Sequence, residues 1–261
     1  MAIHGKNGNL VYNAGDVVNL QSYTLNRIGE TADATAMGDS WDVFNAGLTD
    51  FNATAEGLIA AGLDTTALLG TGGDAEFVVN AGGAFFTAGV VVTGITETAT
   101  IDDNISISYS YEGNDSDGFT FTATGASPPA GSTNTIYGKK IKAEYGAVPT
   151  EFTDVTGWSI TMSCPTSDST VADATDHGRQ KLAGTNTASA TVTILTPDAD
   201  LPVLEGATVA LNLYRSQTNT DGRYEGTAIC TGSDTGVDRT GTETTTLNFL
   251  YTGVVDLVVT A

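Results

Sequence analysis

Polar and apolar residues alternate along several stretches of the chain. The alternation runs unbroken through residues 187–194, and Asp50, Asn52, Thr54 and Glu56 form a polar face of the same kind in the first half. Successive side chains of a strand point to opposite faces, so each stretch predicts a β-strand with one face on a core and the other in water. Further stretches with this pattern are 105–111 and 209–214.

The second half of the chain repeats the pattern of the first. The matched segments are 20–25 with 155–160, 46–54 with 183–191, 86–94 with 224–232, and 107–113 with 247–253. The spacing grows slowly in one direction, as small loop insertions would produce. Chance similarity between two threonine-rich β sequences is the alternative explanation.

A linker separates the two copies in this interpretation. Residues 122–135 are mostly small and include a double proline, which is typical of a connecting segment. The sequence therefore predicts a first domain at 1–121, a linker at 122–135 and a second domain at 136–261.

Helical patterns are weak by comparison. Residues 56–69, rich in Ala and Leu, and residues 198–204 each predict a short helix. The 31 glycines and many threonines favour short strands and turns. The predicted fold is mainly β, with two tandem β-sandwich or distorted-barrel domains that each carry a short flanking helix.

The charge balance is strongly acidic, with 31 acids against 10 bases and a formal net charge of −21. Ordinary nucleic-acid binders draw their affinity from Lys and Arg, so this balance excludes that class. An anionic membrane surface would also repel the chain. High negative charge can alternatively keep a monomer soluble before assembly, or reflect a saline habitat.

Targeting signals and disulfides are not predicted. Residues 1–8 lack the basic and apolar stretches of a signal peptide, and the longest apolar run, 88–92, is too short to span a bilayer. We therefore expect synthesis in the cytosol and no membrane partner. Two cysteines, Cys164 and Cys230, are too few for a disulfide scaffold and predict reduced thiols.

The sequence offers no catalytic or metal-binding motif. His4 and His177 each lack a partner at the spacing of a zinc site. Residues 115–118 lack the flanking acids of a calcium loop and predict a turn. Asp102 and Asp103 suit a hairpin loop better than a glycosidase pair. We expect no enzyme activity, no metal and no cofactor.

A distinctive motif follows the first matched strand. Residues 33–41 have the sequence Asp-Ala-Thr-Ala-Met-Gly-Asp-Ser-Trp. This segment resembles the Asp-x-Thr-x-x-Gly-Asp-x-Trp signature of major tail tube proteins of long-tailed, siphovirus-type bacteriophages. Residues 89–94 and 105–113 are similar to the closing strands of that family. The second half resembles it more loosely, because 173–178 replaces the Gly-Asp-x-Trp portion.

The resemblance implies two packed β-sheets whose copies close into rings by edge-to-edge strand pairing. Rings stack into a tube through the long loop after the second strand, and the tube conducts DNA. With the domain duplicated, three chains would give a ring of six similar domains.

The same resemblance implies a place and partners. The protein would belong to the virion tail after assembly in the host cytoplasm. Its partners would be further copies of itself, a tape measure protein, a tail terminator and tail tip proteins. Double-stranded DNA would pass through the lumen without specific binding.

Two sets of candidate site residues result. The inter-ring loop would comprise Asp33, Thr35, Met37, Gly38, Asp39 and Trp41, with Asp168, Thr170 and Asp173 in the second half. The candidate lumen face is Asp50, Asn52, Thr54, Glu56, Thr187, Ser189, Thr191 and Thr193. The face includes no base that could hold phosphate. Alternatively, Asp39 and Ser40 cap a helical turn while Trp41 lies in its own core.

The strand edges themselves favour self-association. The strands are rich in Thr, Val and Ile, whereas the Lys and Pro that block edge strands in natural proteins are scarce. Two alternative functions remain: another virion structural protein, such as a minor tail or capsid-decorating protein, and a tandem carbohydrate-binding module. The second alternative would call for clustered exposed aromatic residues.

Overall fold

The structure, a computed structural model, describes residues 9–12, 15–16, 19–37, 41–59, 64–79, 83–114, 120–123, 135–170, 178–196, 202–217, 221–236 and 243–259. Within these ranges the chain is mainly β, which confirms the predicted fold class. We call strands β1 to β8 the N-half and strands β9 to β18 the C-half. Residues 124–134 of the predicted linker lie outside the described ranges.

The N-half strands are β1 (Asn9–Tyr12), β2 (Gly15–Asp16), β3 (Asn19–Asp33), β4 (Phe44–Leu58), β5 (Gly72–Val78), β6 (Phe85–Thr100), β7 (Ser106–Gly113) and β8 (Thr120–Thr122). The C-half strands are β9 (Lys142–Tyr145), β10 (Thr150–Glu151), β11 (Val155–Ser163), β12 (Thr166–Asp168), β13 (Lys181–Ala183), β14 (Thr187–Leu195), β15 (Thr208–Tyr214), β16 (Arg223–Gly236), β17 (Thr244–Tyr251) and β18 (Asp256–Val258).

Both halves have the same strand order. The N-half runs β2-β1-β5-β6-β7-β4-β3 with β8 beside β6, and the C-half runs β10-β9-β15-β16-β17-β14-β11 with β18 beside β16. Strand β3 therefore corresponds to β11, and β6 corresponds to β16. Strands β12 and β13 form a separate two-stranded sheet. All of these pairings are antiparallel.

A β-bulge recurs at the same place in both halves. In β6 the register shifts between Val92 and Gly94, and Gly94 pairs with Ser110. In β16 it shifts before Gly232, which pairs with Asn248. Ser110 thus corresponds to Asn248, so the sequence match of 107–113 with 247–253 is wrong by two positions. A shift of two preserves strand alternation, which is why the pattern alone did not reveal it.

One hydrophobic core runs through both halves, and within each half unpaired strands pack against each other. In the N-half the rings of Tyr23 on β3 and Phe77 on β5 lie 5.7 Å apart, and the Tyr23 hydroxyl donates to the carbonyl of Val78 at 3.3 Å. In the C-half the indole Nε1 of Trp158 donates to the carbonyl of Tyr214 at 3.1 Å. Strands that share no backbone pairing therefore pack face to face around buried aromatic rings.

The predicted flanking helices are wrong where the structure describes them. Within 56–69, β4 continues to Leu58 with alternate residues facing the core, and only a 3-10 turn, Thr66–Leu68, follows. Residues 202–204 are bent but not helical. Burial of every second residue in β4 outweighs the helix propensity of its alanines. The remainder of the two segments, 60–63 and 197–201, lies outside the described ranges.

Candidate functional site

The two halves are joined through one continuous sheet. Strand β6 extends beyond its neighbour β5, and β11 pairs with this extension from Gly94 opposite Ser163 to Thr100 opposite Gly157. Seven pairs of residues face each other along this junction. An edge strand of the C-half thus completes an edge left open by the N-half.

The counterparts of these two edges remain open. Among the described residues, β3 pairs only with β4. Within the same described ranges, the end of β16, from Gly232 to Gly236, pairs with β17 alone, because β15 stops pairing at Ile229. The described residues therefore present two unpaired edges: β3, the counterpart of β11, and the end of β16, the counterpart of the β6 extension.

Small polar side chains cover one face of the continuous sheet. One row of directly opposed residues crosses from Glu56 through Ser108, Thr96 and Thr161 to Ser189. A second row consists of Ser106, Thr98, Ser159, Thr191 and Asn248. The alternate residues of the same strands point into the core. We call this surface the hydroxyl face.

Many hydroxyls of this face bond to one another across the strands. Ser159 and Thr191 lie 2.8 Å apart at their oxygens, and Ser163 and Thr187 are also 2.8 Å apart. Similar bonds join Thr96 to Thr161 at 3.3 Å and Thr193 to Thr246 at 3.1 Å. Hydroxyls that are paired in this way have less capacity to bind a passing ligand.

All eight residues predicted for the lumen lie on the hydroxyl face. The structure brings the two groups together on one surface, with β7, β6 and β11 between them. The β4 members are Asp50, Asn52, Thr54 and Glu56, and the β14 members are Thr187, Ser189, Thr191 and Thr193. That this face lines a lumen stays a prediction.

Two bases approach one end of this face from the β12–β13 hairpin. The Arg179 guanidinium contacts Glu30 and Asp168, and its Nε lies 3.9 Å from a carboxylate oxygen of Asp50. Lys181 Nζ lies 3.6 Å from the same Asp50 oxygen. The strands of the candidate lumen face carry no base, but Arg179 and Lys181 of the other half lie within ion-pairing distance of Asp50. The sequence does not reveal this contact, because the partners belong to different halves.

The β3–β4 hairpin projects beyond the core. Every described residue from Asn26 to Met37 is exposed, and so is every one from Trp41 to Gly47. Trp41 is 86% exposed, which contradicts the alternative that it lies in its own core. The expected long loop is thus largely an extension of two paired strands. Gly38, Asp39 and Ser40 lie outside the described ranges.

The Asp-x-Thr part of the motif forms the same turn in both halves. Asp33 Oδ1 accepts from the Thr35 N–H at 2.8 Å, and Asp168 Oδ1 accepts from the Thr170 N–H at 2.9 Å. These bonds hold the pKa of Asp33 below its usual value. The bonds from Thr170, aided by Arg179, lower the pKa of Asp168 to about 2. Both acids therefore shape their own turns. Asp173 lies outside the described ranges.

A buried ion pair lies at the junction between the halves. Arg215, the residue after β15, donates from Nε and Nη2 to the two carboxylate oxygens of Glu97 on β6, at 2.8 and 2.7 Å. Both side chains are 0% exposed. Tyr224 donates to Glu97 at 2.6 Å, and its oxygen lies 2.7 Å from the Thr65 hydroxyl. Two groups of each half thus form one polar network.

The network satisfies its own charges. Burial would lower the pKa of Arg215, but the Glu97 carboxylate outweighs burial and raises it. Burial and the same carboxylate raise the pKa of Tyr224, which keeps its hydroxyl protonated as a donor. No pattern in the sequence pointed to these residues, since Glu97 and Tyr224 are single polar groups at inward-facing strand positions, and Arg215 and Thr65 lie outside the strands.

Two further kinds of site are absent from the described ranges, a metal centre and a membrane-spanning helix. No group of three or more His, Cys, Asp or Glu side chains there could hold a metal ion. None of the described helices has the length and apolar character needed to cross a bilayer.

Comparisons with known proteins give a match among solved structures. No protein-family model matches the chain, and no curated protein matches it. Among solved structures, the chain is similar to a chain from the tail of an empty GTA particle computed with helical refinement and C6 symmetry. The TM-score is 0.37 and the identity 17%, and the match covers 46% of this chain and 94% of that one.

Proposed function

We propose that this protein is a structural virion protein that polymerises into stacked rings forming a phage tail tube, the conduit for DNA ejection. The observation that carries the proposal is the β6–β11 junction together with the two open edges that correspond to it, β3 and the end of β16. In this proposal 1–121 and 136–261 are copies of one tube domain, joined by the linker 122–135.

The ring follows from repeating the internal junction between chains. Strand β3 of one copy would pair with β16 of the next, in the register that β11 adopts on β6. Asn26 corresponds to Thr161 and Asp234 to Thr96, so Asn26 would lie opposite Asp234. Such a contact joins two different surfaces of the chain. It therefore closes into a ring only when the rotation that relates one chain to the next returns to the first chain. Three chains would supply six similar domains.

The hydroxyl face is the proposed lumen wall. Its hydroxyls are paired with one another, and its acids repel phosphate over roughly 8 to 10 Å at physiological salt. Lysines or arginines there would hold DNA through phosphate contacts. Solubility before assembly and a saline habitat remain alternative explanations for the acidity.

A charge reversal on this face tests the lumen assignment. Glu56→Lys is preferable to a change at Asp50, because Glu56 is exposed and has no ion pair among the described residues. We expect intact tubes and slower genome ejection, measured as DNA release from virions. Glu151→Lys, at an exposed position on β10, is the control. Unchanged ejection in the Glu56 variant would contradict the assignment.

The projecting hairpin is the proposed contact between rings. Trp41, Met37 and Phe44 are exposed apolar side chains at its end, and contiguous exposed apolar groups mark interaction surfaces. A tape measure protein, a tail terminator and tail tip proteins are the proposed further partners. Double-stranded DNA would pass without specific binding. The proposed location is the virion tail, after assembly in the host cytoplasm.

Negative-stain microscopy of the purified protein tests the proposal. Hollow filaments built of stacked rings are the expected result. Monomers that persist at high concentration would overturn it, and would favour a decoration protein or, if they bind glycans, a carbohydrate-binding module. Leu25→Lys, which places a charge on the inward side of the open β3 edge, should abolish filaments. Val148→Lys, at an exposed turn of the C-half, should not.

A further inference from the structure

The junction inside the chain and the proposed junction between chains differ in one buried pair. Glu97 lies three residues after Gly94 of the β6 bulge, and Thr235 lies three residues after Gly232 of the β16 bulge. Arg215 follows β15 directly, where Val79 follows β5. The carboxylate and the guanidinium are therefore present only at the β6–β11 junction.

Arg215 makes the identity of the strand beside β11 important. Its guanidinium is fully buried and bonded at two points to Glu97, and its Nη2 also lies 3.0 Å from the Tyr224 oxygen. If β11 paired with β16 of another copy, Thr235 would stand where Glu97 stands. The arginine would then be buried without a carboxylate, which is strongly unfavourable.

We infer that the Glu97–Arg215 pair makes β11 select β6 and reject β16 of another copy, so that N-halves and C-halves alternate around the assembly. The inference rests on the proposed function, because it requires that β16 accept a strand from another chain. Covalent linkage also favours β6, since a short linker holds it at an effective concentration of about 1 mM. The Glu97–Arg215 pair adds discrimination where the edges of other chains are as concentrated as β6 of the same chain, as in a growing tube.

Cysteine pairs on the hydroxyl side of the edges report which strands meet. Thr96→Cys with Thr161→Cys reports the β6–β11 junction, and Asn26→Cys with Asp234→Cys reports β3 on β16. Thr161→Cys with Asp234→Cys reports β11 on the wrong partner. Each pair is cross-linked by a short bifunctional thiol reagent after refolding at increasing concentration. The natural cysteines, Cys164 and Cys230, are buried.

The neutral double variant Glu97→Thr with Arg215→Val copies the residues of the other junction. At a subunit concentration of about 1 mM, β6 of the same chain and the edges of other chains then compete for β11 at similar concentrations. In the wild-type protein we expect the Thr161–Asp234 cross-link in fewer than about one-twentieth of the chains. In the double variant, where β11 no longer discriminates between the available edges, we expect it in about one-third of the chains. A control that removes the surface pair, Arg223→Thr with Glu225→Thr, should stay at the wild-type value.

A second variant guards against loss of folding in the first. Thr235→Glu keeps the native pair and offers Arg215 a carboxylate on β16, so the Thr161–Asp234 cross-link should rise here as well. If both variants fold and both give the wild-type yield of the Thr161–Asp234 cross-link, the inference is overturned. If the double variant does not fold, a wild-type yield in Thr235→Glu alone overturns it. Absence of the Asn26–Asp234 cross-link in the otherwise unchanged protein would instead contradict the proposed function.

Discussion

Strands β3 and β11 have the same place in their halves but different surroundings. Trp158 and Ile160 of β11 are buried, because β6 of the other half covers that edge. Their counterparts Tyr23 and Leu25 in β3 are only half-buried, and β4 is the sole described strand that pairs with β3. The difference shows that pairing with a second strand along the outer edge buries the inward side chains of an edge strand.

The two Asp-x-Thr hairpins differ in a similar way. In the N-half, β3 and β4 remain paired into the exposed hairpin, with a bulge between Gly29 and Thr31. In the C-half the corresponding segments, β12 and β13, form a separate ladder whose Arg179 contacts acids of the N-half. Within one chain, therefore, the C-half hairpin contacts the base of the N-half hairpin, whose far end carries exposed apolar side chains.

Breaking the buried pair should have the largest effect. Glu97→Gln leaves the Arg215 charge buried without an acid, and we expect the free energy of unfolding to fall by about 3 to 5 kcal/mol. Urea unfolding of the monomer measures it. Glu225→Gln is the control, because its partner Arg223 lies 2.8 Å away in a partly exposed pair. That change should cost about 1 kcal/mol or less. Equal losses would contradict the account.

Truncating the same position in both edge strands sharpens the comparison. Ile160→Ala should lower the stability of the monomer by about 2 to 5 kcal/mol, as expected for a fully buried side chain. Leu25→Ala should cost the monomer about 1 kcal/mol, since Leu25 remains partly in water. Its larger effect should appear on assembly, as a critical concentration raised about tenfold. Equal effects on the monomer would show that β3 is not an open edge.

A pH series separates the two hairpins. The depressed pKa of Asp168 means that its carboxylate contributes stability in full above the unfolded value near 4 and loses it as pH falls through about 2. Asp168→Asn should therefore flatten the pH dependence of unfolding between about pH 4 and 2. The Asp33→Asn change should flatten it less, because only Thr35 lowers that pKa. Chemical unfolding at four pH values measures both slopes, and equal slopes would refute the distinction.

Trp41→Ala should have the smallest effect on the monomer. The side chain is almost fully in water, so the free energy of unfolding should change by less than about 0.5 kcal/mol. Filament formation should nevertheless be impaired, with the critical concentration raised about 30-fold if Trp41 anchors the next ring. Val148→Ala, at an equally exposed turn, should polymerise normally. Normal polymerisation of the Trp41 variant would exclude the hairpin as an anchor.

Alternation along the chain was sufficient to predict the mainly β fold and the polar faces of β4 and β14. Alternation was not sufficient where two local conformations, or two registers, fit the same pattern. The Ala-rich end of β4 has the composition of a helix, and only burial of every second residue distinguishes the two. A shift of two positions between β7 and β17 is equally invisible to alternation.

The contacts between halves could not be predicted. Glu97 and Arg215 are single residues far apart in the chain, and each interrupts an apolar pattern without forming a motif. Arg179 reaches Asp50 only because β11 places the C-half beside the N-half. Such pairs depend on how strands are ordered in the sheet, which local sequence does not encode.

The central claim is that the internal junction is repeated between chains. Cross-linking Asn26→Cys with Asp234→Cys in the assembled protein tests it most directly, with denatured products sized by mass. The account predicts covalent dimers and trimers, with a closed trimer as the largest product. Monomers alone, or a ladder that continues beyond three chains, would contradict it.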